Sequence, residues 1–186
     1  MAALIHLIYL KPEILDKLRQ VFKENNPRGI QITSFMDLIS YKFFLKEISK
    51  VKFQKNKIMD MHSFFESKPD ALNFFNSPEF LSFASILTGK HLTKSDCSLR
   101  MFMKGCYTLI HEETAEDGIE FFFDLTPKWD NEFGGYTAYL AYDGSKVITP
   151  QYPNTLILAE SGRSYVKYVN HLAKSDGRLV VYGKLS

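Results

Sequence analysis

The sequence is poor in the features that mark specialised classes. It has two cysteines, Cys97 and Cys106, in 186 residues. Two cannot make a framework of bridges, so both read as reduced thiols of an intracellular protein. Basic and acidic residues nearly cancel, 23 against 21. That balance argues against a dedicated nucleic-acid binder, whose charge is lopsided, while leaving room for a local basic face. No apolar run is long enough to span a bilayer. The apolar start, MAALIHLIYL, has no basic residue ahead of it and no small-residue cleavage site, so it reads as a buried strand or helix start. No repeat, low-complexity tract or linker divides the chain. What is plentiful is core material, with 45% apolar and 15% aromatic residues. The expectation is a single domain, residues 1–186, monomeric, with no membrane attachment, in the cytoplasm or alternatively the nucleus.

Punctuation along the chain separates a mainly helical part, 1–94, from a β part, 95–186. Pro12 opens a helix over 12–24 whose one face carries Ile14, Leu15, Leu18, Val21 and Phe22, and Asn25 to Gly29 ends it. Ile30 to Thr33 is a short strand. Ser34, with Asp37 three residues on, is a candidate N-cap for a helix burying Leu38, Phe43, Phe44, Leu45 and Ile48. Ser77-Pro78-Glu79 and Gly89 bound a helix over 78–88. The basic run from Lys50 to Lys57, with Lys52 and Lys55, is either a solvated helix end and loop or a patch for phosphate contact. After about Ser95, short apolar runs alternate with turn signals such as Lys104-Gly105, Gly134-Gly135 and Asp143-Gly144, the pattern of an antiparallel sandwich or barrel.

The chemistry-bearing stretch runs from Lys104 to Gly135. His111 and Glu113 stand at i and i+2, on one face of a strand. They are either two corners of a metal-binding facial triad or a strand end facing water. Phe121, Phe122 and Phe123 fit a strand buried on both faces. Trp129 lies in a turn, as a partner contact or packed over the sheet edge. His6, His62 and His91 are scattered, and no Ser-His-Asp or Cys-His arrangement emerges.

The order KGCYTLIHEE, a KW turn, GG, I-x-P-x-x-N-T-L and a final Gly-Arg before an apolar strand resembles the iron- and 2-oxoglutarate-dependent prolyl hydroxylases. Within them it is most similar to the subgroup that hydroxylates a proline of a small-subunit ribosomal protein, which also has a segment like Phe53–Ser67. The resemblance spans roughly Gly29 to Ser186. It implies an α+β fold, a double-stranded β-helix (jelly roll) with N-terminal helices packed against it. Members of the eukaryotic type carry a second, degenerate jelly roll, and the resemblance places this chain before it. His111 and Glu113 fall at the first metal-binding histidine and the carboxylate, where the family has Asp. Arg178 falls at the arginine that grips 2-oxoglutarate, a task suited to its bidentate fork. Without the resemblance Arg178 would read as a surface arginine at a strand start.

The departures set the functional expectation. The distal histidine ligand is replaced by Ser164, or by Tyr165 if the register slips by one, with His171 as a weak substitute. Phe102 stands where the family has a co-substrate-binding tyrosine. A scaffold that has lost a ligand and a hydroxyl points to a non-catalytic, prolyl-hydroxylase-like protein needing no cofactor. By resemblance it binds the ribosome or a small-subunit ribosomal protein, with rRNA contact through Lys52, Lys55 and Lys57, and regulates or silences translation. The alternative is an active Fe(II)/2-oxoglutarate-dependent prolyl hydroxylase using His111, Glu113 and His171. A last expectation is an internal polar cluster in which Glu113 meets His111, Arg178 or Tyr165.

Overall fold

The computed structural model describes residues 4–58, 61–112, 118–127, 134–141, 146–149, 152–160, 165–169 and 177–186, with the backbone alone at 110–112, 140–141, 146–149 and 165–169. Among the described residues there are three α-helices, α1 (Pro12–Glu24), α2 (Leu38–Ile48) and α3 (Pro78–Thr88), with 3-10 segments at Leu7–Leu10 ahead of α1 and Asp70–Asn76 ahead of α3. Strands β1 (Gly29–Ile32), β2 (Gln54–Ile58) and β3 (His62–Ser67) lie among them. Then come β4 (Ser95–Phe102), β5 (Tyr107–Glu112), β6 (Ile119–Asp124), β7 (Thr137–Ala141) and β8 (Lys146–Thr149). The last three are β9 (Thr155–Glu160), β10 (Tyr165–Val169) and β11 (Arg178–Leu185).

All described pairings are antiparallel, in the order β1-β9-β6-β11-β4-β3-β5-β10-β7-β8, with β2 paired to β3. The strand β3 pairs with β4 through Phe65–Ser67 and with β5 through His62–Ser63, so it joins two layers. The fold is α+β, the jelly roll expected from the sequence. No described helix is long and apolar enough to cross a membrane.

Alternation along the strands sorts side chains onto two faces. Phe121 and Phe123 of β6, Leu156 and Leu158 of β9, and Val181 of β11 pack with Phe22, Phe44, Phe75, Phe80 and Phe83 of the helical layer. Phe122, Ile157, Val180 and Tyr182 point the other way and pack with Phe64, Phe102 and Tyr139 inside the roll. Both faces of β6 are covered, which is why its six residues are all buried. Gly183 lets the sheet close here, because an added Cβ would lie 2.3 Å from Phe121 Cε1 and 2.7 Å from Cys97 Cβ. Neither neighbour is the end of a flexible chain. Gly183→Ala should therefore cost about 1–3 kcal/mol, read as a fall in the denaturant midpoint at unchanged m.

Helices α1 and α3 begin and end where their caps predict. Ser77 Oγ accepts from Phe80 N (3.3 Å), and Gly89 closes α3 at φ 75°. The cap of α2 is Asp37 and not Ser34: its Oδ1 accepts from Ile39 N (2.9 Å) and Ser40 N (3.0 Å). Ser34 sits in a turn at φ 50°. The buried face of α2 is Ser40, Tyr41, Phe44 and Ile48, while Leu38 and Phe43 are exposed. The apolar N-terminus buries Ile5, but its 3-10 segment leaves Leu7 and Ile8 exposed. The run from Lys50 is neither helix end nor loop throughout, since Gln54–Ile58 form β2.

Candidate polar site inside the roll

Arg178 begins β11 and faces the interior with Val180 and Tyr182. Its side chain is 1% exposed, which rules out the surface position open to it from sequence alone. Asp124 ends β6, whose register sets it opposite Val180, two residues from Arg178. That diagonal brings Arg178 Nε to 3.2 Å from Asp124 Oδ2, with Asp124 2% exposed. Arg178 Nη1 donates to the Gly135 carbonyl (2.8 Å) and to Thr137 Oγ1 (3.1 Å) on the opposite layer. Asp124 Oδ1 accepts from Thr126 N (2.9 Å). Thr126 in turn exchanges two hydrogen bonds with Leu179, donating to its carbonyl (3.1 Å) and accepting from its N–H (2.9 Å).

Burial pushes the Asp124 carboxyl up, opposed by the facing guanidinium and the Thr126 amide. The same burial draws Arg178 down, opposed by Asp124. The pair stays charged at neutral pH, because an arginine does not give up its proton inside a protein and its partner must then be the anion. Nearby, Tyr41 is pushed up to about 12, first by burial and then by the charge of Asp124.

This arrangement does not fit a dicarboxylate at Arg178. The cation is already neutralised by an internal carboxylate, and a second carboxylate would add a buried charge that no further cation among the described residues is seen to compensate. Phe102 lies across from Arg178 in the β4–β11 register, 2% exposed, its ring 5.6 Å from that of Phe64. It fills this wall with apolar packing where a tyrosine would offer a hydroxyl.

The other predicted site positions are only partly described. His111 pairs in register with Lys167 on β10, two positions along from Tyr165. Glu113, Ser164, His171 and Trp129 lie outside the described residues, and with them the expected contact of Glu113 with Arg178. Asp124 was the missed residue. Its signal is a carboxylate directly after three consecutive phenylalanines of a strand buried on both faces, a position that calls for a buried cation.

A second network lines the roll toward β2. Arg100 lies over the rings of Tyr182 (3.9 Å) and Phe64 (4.5 Å), and its Nε is 3.5 Å from Glu66 Oε1. Asn56 Nδ2 donates to Glu66 Oε2 (3.0 Å), and His62 Nε2 donates to Asn56 Oδ1 (3.1 Å). Burial alone would raise the Glu66 carboxyl. Hydrogen bonds from Ser98 and Asn56 and the charge of Arg100 overcome this and hold it below its ordinary 4.5. A depressed carboxyl contributes stability that is whole above its unfolded value and is lost as pH falls below it. Glu66→Gln should therefore flatten the loss of stability on acidification below about pH 4.5, measured by urea unfolding across pH.

The family model described as "Oxoglutarate and iron-dependent oxygenase degradation C-term" matches residues 51–185. No curated protein sequence matches. Among solved structures, the chain is similar to a prolyl hydroxylase from Trichoplax adhaerens in complex with a hypoxia inducible factor oxygen degradation domain peptide fragment. That match has a TM-score of 0.73 at 16% identity over 94% of this chain and 93% of that one. A Pseudomonas putida prolyl-4-hydroxylase matches with a TM-score of 0.70 at 12% identity over 92% and 97%. An oxidoreductase of the 2OG-Fe(II) oxygenase family from Burkholderia pseudomallei gives 0.72 at 11% over 92% and 90%. At these identities the structures share a fold. The matching description names a C-terminal part, whereas the sequence resemblance places the chain ahead of any second jelly roll.

Proposed function

The chain belongs to the family described as oxoglutarate and iron-dependent oxygenase degradation C-term, and on that premise we propose that it is a prolyl-hydroxylase-like protein that binds instead of catalysing. The observation that carries this reading is the internal carboxylate on Arg178. A group that would grip a co-substrate acts as a structural cation, and the facing wall offers Phe102. The partner is the ribosome or a small-subunit ribosomal protein, by similarity to the subgroup directed at one. Binding there regulates or silences translation, with Lys52, Lys55, Lys57 and Trp129 at the contact.

Two measurements test this. Tagged protein should co-sediment with ribosomes in a sucrose gradient, and protein confined to the top fractions at low and physiological salt ends the binding reading. Adding Fe(II) or Mn(II) with 2-oxoglutarate should leave the melting temperature unchanged, because a ligand held only by the native state would raise it. A clear rise, or Fe(II)-dependent succinate formation abolished by His111→Ala, would establish the dioxygenase alternative.

A further inference from the structure

Strand β2 is an edge. Among the described residues it pairs with β3 alone, and Gln54, Lys55, Lys57 and Ile58 are exposed along it. Lys50 and Lys68 are neutralised by Glu47 (3.3 Å) and Asp96 (2.9 Å). Lys52, Lys55 and Lys57 have no carboxylate partner among the described residues. These three and Lys68 line a groove of about 530 Å³ along the strand, with the amides of Gln54 and Asn56. Its one carboxylate among the described residues, Glu66, is already taken by Arg100 and Asn56. At the tip of the hairpin Ile58, Met61 and Leu109 are each about half exposed and adjacent, Leu109 N donating to the Met61 carbonyl (2.8 Å).

An extended edge with open backbone groups accepts a further strand, and its side chains choose which one. A second copy of this edge is disfavoured, because it would set lysines against lysines. Single-stranded nucleic acid is bound by basic grooves that also carry rings for base stacking. No aromatic side chain is among the described residues that line this one. The remaining match is a peptide bearing carboxylates.

We infer that the β2 edge docks an extended acidic segment of a partner protein, added as a further strand. Its carboxylates meet Lys52, Lys55 and Lys57, and an apolar side chain beyond them rests on Ile58, Met61 and Leu109. The inference gives a partner peptide the lysines that the ribosome reading places at its contact, and it is tested without ribosomes.

The probe is a short fluorescein-labelled peptide of alternating Glu and Val ending in Leu, titrated with the whole chain by anisotropy. Its comparators are the same peptide N-methylated at alternate residues, and labelled oligouridylate. Saturable peptide binding is expected, weaker at higher salt and reduced about tenfold or more by Lys55→Glu/Lys57→Glu and by N-methylation. Both lysines are exposed, so an unchanged melting temperature shows that the variant is folded. Lys55→Gln/Lys57→Gln should give a smaller loss in the same direction. No saturable peptide binding, or binding indifferent to charge reversal or to N-methylation, overturns the inference. Oligouridylate binding without peptide binding overturns it too, while leaving the ribosome reading intact.

Discussion

Asp124→Ala should be among the most damaging single substitutions in this protein, lowering stability by about 3–5 kcal/mol. The variant leaves the Arg178 guanidinium in a place that is 1% exposed, with its only facing anion gone among the described residues. The Gly135 and Thr137 oxygens still accept from Nη1, but they carry no charge. In a domain of this size the loss corresponds to a melting temperature lower by roughly 6–20 °C. Arg178→Met should cost a similar amount, because Asp124 is then the buried ion without a partner. The double substitution Asp124→Leu/Arg178→Met should cost less than the sum of the two, since it removes both ions together. A melting temperature for Asp124→Ala within about 1 °C of wild type would show that the two do not act as a pair.

Phe75→Ala is expected to cost about as much, roughly 3–5 kcal/mol, for a different reason. Phe75 is fully buried in the 3-10 segment ahead of α3. Its ring lies 5.1 Å from that of Phe80 in α3, 5.1 Å from Phe121 and 5.6 Å from Phe123 in β6, and 6.1 Å from Phe44 in α2. One side chain thus fastens two helices to the central strand of the larger layer. Removing it opens a cavity among aromatic rings that cannot collapse without moving those elements. Phe75→Leu should recover most of the loss, and Phe43→Ala, at a ring 63% exposed, should be nearly neutral. Chemical denaturation of the three variants checks the ranking, and a Phe75→Ala cost no larger than that of Phe43→Ala would refute it.

Local signals in the sequence carried the elements with local causes. Pro12 and Asn25 bound α1, Ser77-Pro78 and Gly89 bound α3, and the triple phenylalanine marked a strand covered on both faces. Where the cause is distant, local reading failed. Ser34 is the cap that local pattern favours, yet Asp37 is the cap, and the chain between them is held by Asn154, 118 residues away from Met36. Asn154 Oδ1 accepts from Met36 N (2.9 Å) and its Nδ2 donates to the Met36 carbonyl (2.8 Å). The segment Gln54–Ile58 has no apolar alternation and is a strand because β3 offers it a partner in register. Arg178 was placed correctly on its strand, but its role depended on Asp124, 54 residues earlier, which only the sheet register brings beside it.

The ion pair inside the roll also constrains how this sequence can change over time. Either position, altered alone, passes through a protein holding a bare buried charge, and the cost argued above is a large share of a domain's whole stability. Positions 124 and 178 therefore behave as one heritable unit. Lineages should keep the Asp–Arg combination or exchange both for uncharged residues together, and mixed combinations should be scarce. An arginine free to receive an outside anion would require losing Asp124 while some newly arrived ligand already held the charge. An alignment of close homologues rich in mixed combinations would contradict this.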